Sequence, residues 1–120
     1  MTALSAVSRH SRLPIVAKTE SVARQWADLE SNMARLGIPD HLQSGLVNHI
    51  IRGIPVGSFL TACIDNNLLG AVSHGDDQSI AALKPIMQLL YNYTRGPCWG
   101  SEKRRRDWQA KGGLTGHVGA

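Results

Sequence analysis

Ser73, His74, Asp76 and Asp77 place a hydroxyl, an imidazole and two carboxylates within five residues of chain. These are the ingredients of acid–base or nucleophilic catalysis. Such chemistry needs the imidazole nitrogen aimed at the hydroxyl and a third group holding the ring, and immediate neighbours in sequence rarely point at one another that way. Gly75 suits the end of one helix, and Asp76 or Asp77 suits the cap of the next. Ser73 to Asp77 therefore reads as a junction between helices. Gly-Asp-Asp also occurs in polymerase active sites, but there it sits on a hairpin within a much larger enzyme.

The five histidines, His10, His41, His49, His74 and His117, show no metal-ligand spacing. His41 and His49 lie eight residues apart, about 12 Å along a helix, whereas ligands of one ion on a helix are spaced i, i+4. Cys63 and Cys98 form no Cys-x-x-Cys pair, and reduced thiols in a cytoplasm are expected. No phosphate loop is present, and Gly53, Gly57, Gly70 and Gly75 follow no strand as a dinucleotide-binding fingerprint would. Neither catalysis nor a cofactor is expected.

The one stretch with partner-binding character is Trp99-Gly-Ser-Glu-Lys-Arg-Arg-Arg-Asp-Trp108. On a helix capped by Ser101, the consecutive side chains Lys103, Arg104, Arg105 and Arg106 point around most of the circumference, so several must face solvent. Lys103 with Asp107 and Glu102 with Arg106 are spaced for local ion pairs, and Arg104 neighbours Trp108. Two readings compete. In one, the cations bind phosphate and Trp108 packs or stacks on a base; in the other, the helix is solvated and Trp108 anchors it to the core.

Those residues need elements to hold them. Residues 1–18, rich in Ser and Arg and running into Pro14, read as a flexible basic arm. From a Thr19 cap, Val22, Trp26, Leu29, Met33 and Leu36 recur at alternating spacings of four and three, the mark of an amphipathic helix that Gly37 and Pro39 stop. Pro39 can open a second helix with Leu42, Leu46, Val47, Ile50 and Ile51 on one face, closed by Gly53 and Pro55. Val56, Phe59, Leu60, Cys63 and Ile64 form a third apolar stripe. Asp65-Asn66-Asn67 either breaks that helix or forms its polar face, with Leu68 and Val72 extending the stripe. A fourth helix carries Ile80, Leu83, Met87, Leu90 and Tyr91, and Pro85 must kink it or start it afresh. Ser101 caps a last one, which ends at Gly112-Gly113, and residues 114–120 should fray. The expectation is all-α: a compact bundle of four to five short helices over residues 19–113, with most of the six aromatics in its core.

One core is what 120 residues allow. Apolar residues make up 42% and charged residues 18%, so the chain can fold, and polar residues interrupt every apolar run before it could cross a membrane. The early residues lack the apolar core of a secretory signal. The net charge of +4 is unevenly spread: residues 1–18 carry +3, residues 19–96 carry −2 and residues 97–120 carry +3. Positive ends around a slightly acidic centre favour local attraction for an anionic partner.

Ile38-Pro39-x-His41-Leu42-x-x-Gly45-Leu46, Gly53-Ile54-Pro55-Val56-Gly57-Ser58-Phe59-Leu60-Thr61-Ala62, Asn66-Asn67-Leu68, Leu90-Tyr91-Asn92 and Pro97-Cys98-Trp99-Gly100-Ser101-Glu102, with Trp108 and Gly112-Gly113, resemble a group of small, uncharacterised phage and prophage proteins. The likeness spans residues 38 to 113. The chain departs from that pattern at Val56, where the family has a second proline, at Asn67, where it has aspartate, and at Ser101-Glu102, where it has Ser-Pro-Glu. The resemblance implies a phage-type accessory protein acting in a bacterial cytoplasm and carries over no functional residue.

Taken together, the residues lead first to a non-enzymatic protein that associates with nucleic acid through its basic termini, with Lys103, Arg104, Arg105, Arg106 and Trp108 as contacts. The alternative is a protein-binding inhibitor or modulator of a host enzyme or anti-phage defence complex, which would need an exposed apolar patch from Tyr93, Trp99 or Trp108.

Overall fold

The structure, a computed structural model, describes residues 15–119. Among these residues the chain is entirely helical, without strands: α1 (Ile15–Leu36), α2 (Asp40–Val47), a π-helical turn (Asn48–Arg52), α3 (Ser58–Ile64), α4 (Leu68–His74), α5 (Asp77–Ala81), α6 (Leu83–Tyr93), a 3₁₀ turn (Gly96–Cys98), α7 (Glu102–Ala110) and α8 (Gly113–Gly119). The all-α expectation holds. The helices are more numerous than the four to five expected, because two apolar runs are each cut in two and the chain after Gly112 forms one more.

The first cut falls at Asp65-Asn66. Asn66 takes a left-handed φ of 61°, which asparagine tolerates and β-branched residues do not, and the Asn67 side chain accepts from the Gly70 amide at 3.0 Å to cap a new helix. The second falls at Ala82, and Pro85 then lies in the first turn of α6, where its missing N–H deprives the helix of no hydrogen bond. Proline here splits the helix; it does not bend it. Asp76 caps α5 through the Ser79 amide at 2.8 Å.

Both ends depart from expectation. The part of the expected 1–18 arm before residue 15 lies outside the described residues, but α1 already runs from Ile15, so Thr19 sits inside a helix instead of capping one. At the other end, the segment expected to fray from residue 114 is helical through Gly119, with Leu114 only 2% exposed. The buried Leu114 side chain anchors this helix despite the glycine content around it.

Leu29 and Met33 of α1, Leu46 of α2, Ile50 and Ile51 of the π turn, Ile64 of α3, Ile86, Leu89 and Leu90 of α6, Trp108 of α7 and Leu114 of α8 are all buried. Each such side chain contributes about 1.5–3 kcal/mol by leaving water. α1 ends in a Schellman-type closure, with the Ile38 amide on the Met33 carbonyl at 3.1 Å and Gly37 at a φ of 78°.

The C-terminal helix closes over the π turn through glycine. Gly53 and Gly113 both have positive φ, and a Cβ on Gly53 would lie 2.4 Å from the Gly113 nitrogen. Only two residues without side chains permit main chain to approach main chain this closely.

Candidate nucleic-acid interface

Ser101 opens α7 by accepting the Arg104 amide on its hydroxyl at 3.1 Å, as its position before an acid-led basic run predicts. The helix divides its labour by face. On the inner side Trp108 is 1% exposed, and its indole N–H is shared between the carbonyls of His49 and Ile50, at 3.1 Å each. Those carbonyls belong to the π turn. Trp108 therefore serves as an anchor, and its buried ring cannot stack on a base, which corrects the stacking role expected of it.

Arg105 is also drawn inward. Its Nε donates to Asp65 at 2.6 Å, with the two side chains only 15% and 16% exposed. This pair ties α7 to the end of α3, as does the Gly100 amide on the Ile64 carbonyl at 2.7 Å. A guanidinium so held is a structural tie and is lost to any partner, so Arg105 leaves the candidate contact set.

Lys103, Arg104 and Arg106 remain outside. Lys103 meets Asp107 at 2.7 Å and Arg106 meets Glu102 through Nε at 2.8 Å, both in the i, i+4 register expected. The Lys103 ammonium holds the exposed Asp107 carboxyl below its ordinary range, chiefly by hydrogen bonding. Such exposed pairs are weak and yield to competition from phosphate. Arg104 has no carboxylate partner among the described residues and reaches only the Gly96 carbonyl, at 3.5 Å. Arg104 and Lys111 line one shallow cleft with Gly96, Pro97 and Asp107, and exposed Arg95 directly precedes Gly96. Arg95 lies outside the expected contact set; it directly precedes the 3₁₀ turn, which the fold packs against α7. Residues 95–111 hold six basic and two acidic side chains, an excess equal to the whole chain's +4.

Behind this surface lies His49, fully buried in the π turn. Its Nε2 meets the Cys98 carbonyl at 2.7 Å and its Nδ1 faces the Gln109 amide nitrogen at 3.4 Å. A carbonyl only accepts, so Nε2 carries the proton and Nδ1 accepts from Gln109. Burial holds the imidazole below its ordinary pKa, with Arg105 adding to the effect and the Cys98 carbonyl and Asp65 opposing it. Both thiols are buried and free; burial pushes Cys63 up to about 11 and raises Cys98 as well.

Ser73, His74, Asp76 and Asp77 form the expected junction between α4 and α5, with Asp76 bound to the Ser79 amide. His74 instead lines an open cleft with His41, Ser44 and Ser58. Among the described residues no three His, Cys, Asp or Glu side chains gather where they could hold one metal ion. No helix among the described residues is long and apolar enough to cross a membrane.

No family model, curated protein or solved structure matches the chain.

A second surface went unseen in the sequence. Leu68, Leu69 and Val72 of α4 are 66%, 77% and 49% exposed, and Tyr91 of α6 is 78% exposed. Of the two readings of Asp65-Asn66-Asn67, the helix break is the one found: it turns α4 and leaves Leu68 and Val72 in solvent instead of on an extended stripe. Tyr91 and Tyr93 likewise leave the core; Tyr91 meets Trp99 edge-on with ring centroids 6.4 Å apart.

Proposed function

We propose that the protein is a non-enzymatic, phage-type accessory factor of a bacterial cytoplasm that associates with nucleic acid through α7 and the 3₁₀ turn before it. The observation that carries this reading is that exposed Arg104 and Lys111 line one cleft without a salt bridge of their own among the described residues, the cleft's Asp107 being paired with Lys103, while exposed Arg95 directly precedes the Gly96 that lines it. Lys103 and Arg106 flank them. Phosphates are bound by cations of this kind, largely through counterion release.

A fluorescence-anisotropy titration of labelled DNA and RNA tests it. Three or four phosphate contacts give log K a slope against log salt of about −2 to −4. Exchanging Arg104 and Lys111 together for alanine should weaken binding and flatten that slope by about 2 units. Absence of binding at low salt removes the proposal.

A second reading rests on the apolar face of α4: the protein modulates a host enzyme or defence complex by binding it. Leu68, Leu69 and Val72, beside a groove lined by Leu83 and Met87, give the exposed apolar and methionine-bearing surface such contacts use. A host protein retained from nuclease-treated lysate, and lost when Leu69 is changed to Asp, favours this version over the first.

A further inference from the structure

We infer that the protein takes single-stranded nucleic acid, and that one unpaired base enters a cleft between α1 and the end of α6; this rests on the nucleic-acid reading above. The cleft has a volume of about 360 Å³ and adjoins the cationic surface, since Trp108 lines both and Arg95 at its edge leads directly to Gly96. Its floor is apolar, formed by Leu29, Ile51 and Leu114. Its rim is polar in a way that suits a nucleobase.

Tyr93 supplies the stacking surface. The Arg35 guanidinium lies over its ring, 5.1 Å from the centroid, and the tyrosine is still 43% exposed. A ring held by a guanidinium and open to the cleft is a platform for a flat, weakly polar ligand. Arg35 also donates to the Asn32 carbonyl oxygen, which turns the Asn32 amide into a fixed donor for the cleft. Asn92 adds a second amide and Asp28 a carboxylate on the α1 side. Side-chain amides match the mixed donors and acceptors of a base edge. Every base carries an N–H on that edge, so Asp28 can accept from any of them.

The charges set the direction of entry. Asp28 repels phosphate from the α1 side, while Arg95, Arg104 and Lys111 attract it at the other. The base therefore points toward α1 with its backbone along the 3₁₀ turn and α7. A duplex cannot present a base in this way without flipping it out of the stack.

The experiment compares three labelled oligonucleotides of equal length by anisotropy at low salt: a single strand, its duplex, and a single strand of abasic sites. The expected result is binding of the ordinary strand about tenfold tighter than either of the others, and about a tenfold loss for Tyr93→Leu that Tyr93→Phe does not show. Asn92→Ala, an exposed change, should weaken the single strand alone and decides the matter if Tyr93→Leu does not fold. If all three oligonucleotides bind alike and these variants leave binding unchanged, the base cleft is overturned while phosphate association stands. If none binds, both fall.

Discussion

Trp108 donates its indole N–H to the main-chain carbonyl of His49 at 3.1 Å, and the next residue, Gln109, reaches the His49 ring at 3.4 Å. The π turn is thus clasped from one side by α7, whose opposite side carries the cations. Replacing Trp108 with Ala should cost about 3–5 kcal/mol, the range for emptying a large buried aromatic site. Urea denaturation followed by circular dichroism measures it, and a cost below about 1 kcal/mol would mean that the indole is not an anchor.

Gly53 and Gly113 give a sharper contrast. Alanine at either position meets both a positive φ and main-chain atoms within 2.8 Å, whereas Gly37, at a φ of 78°, has nothing within 4 Å of a built Cβ. Gly37→Ala should therefore cost about 1 kcal/mol, the conformational share alone. Gly53→Ala and Gly113→Ala should cost at least about 2–3 kcal/mol, since backbone must shift as well. Equal losses at all three sites would contradict the close approach.

His49 predicts a pH dependence. Its folded pKa lies below the ordinary 6.5 because burial disfavours the cation, so the unfolded chain binds the extra proton first. Stability is full above about pH 6.5 and falls as the pH drops below it, at up to about 1.4 kcal/mol per pH unit until the folded pKa is reached. Asp76, lowered by the Ser79 amide, acts in a separate window: its contribution is present above 3.8 and is lost as the pH falls further. Urea midpoints at pH 7.5, 6 and 5 should decline for the native chain. His49→Gln, already less stable, should decline less.

Asp65→Asn should destabilise by about 1–3 kcal/mol, because it removes the close counter-charge of the largely covered Arg105 guanidinium and leaves only the more exposed Glu102 carboxylate at 3.9 Å. Lys103→Ala and Arg106→Ala, at exposed i, i+4 pairs, should each stay within about 0.5 kcal/mol. If the Asp65 change costs no more than these two, Arg105 is a surface cation after all and returns to the contact set.

Much of the fold was legible where a local signal and the hydrophobic period agreed. The stripe of Trp26, Leu29 and Met33, the Gly37 stop, the Ser101 cap and the ion pairs of α7 follow from spacing and capping alone. The period alone could not decide the place of Leu68 and Val72, because a left-handed residue at Asn66 reorients everything after it and no periodic pattern registers a change of axis. Nor could spacing divide Lys103 to Arg106 into tied and free members. Arg105 turns inward because Asp65, 40 residues earlier, waits there, and the 3₁₀ turn that follows Arg95 meets α7 only through tertiary packing. The cleft beside Tyr93 joins α1 to the end of α6, with Asn32 and Asn92 sixty residues apart, beyond any local pattern.

The split character of α7 makes its outer surface replaceable. Trp108, Arg105 and Gln109 hold the helix in place, while Lys103, Arg104, Arg106 and Lys111 contribute almost nothing to holding it. Those four positions can be rewritten as a set, to another sign or another recognition code, with the scaffold left standing. Selection on what the surface touches is thereby uncoupled from selection on whether the chain folds.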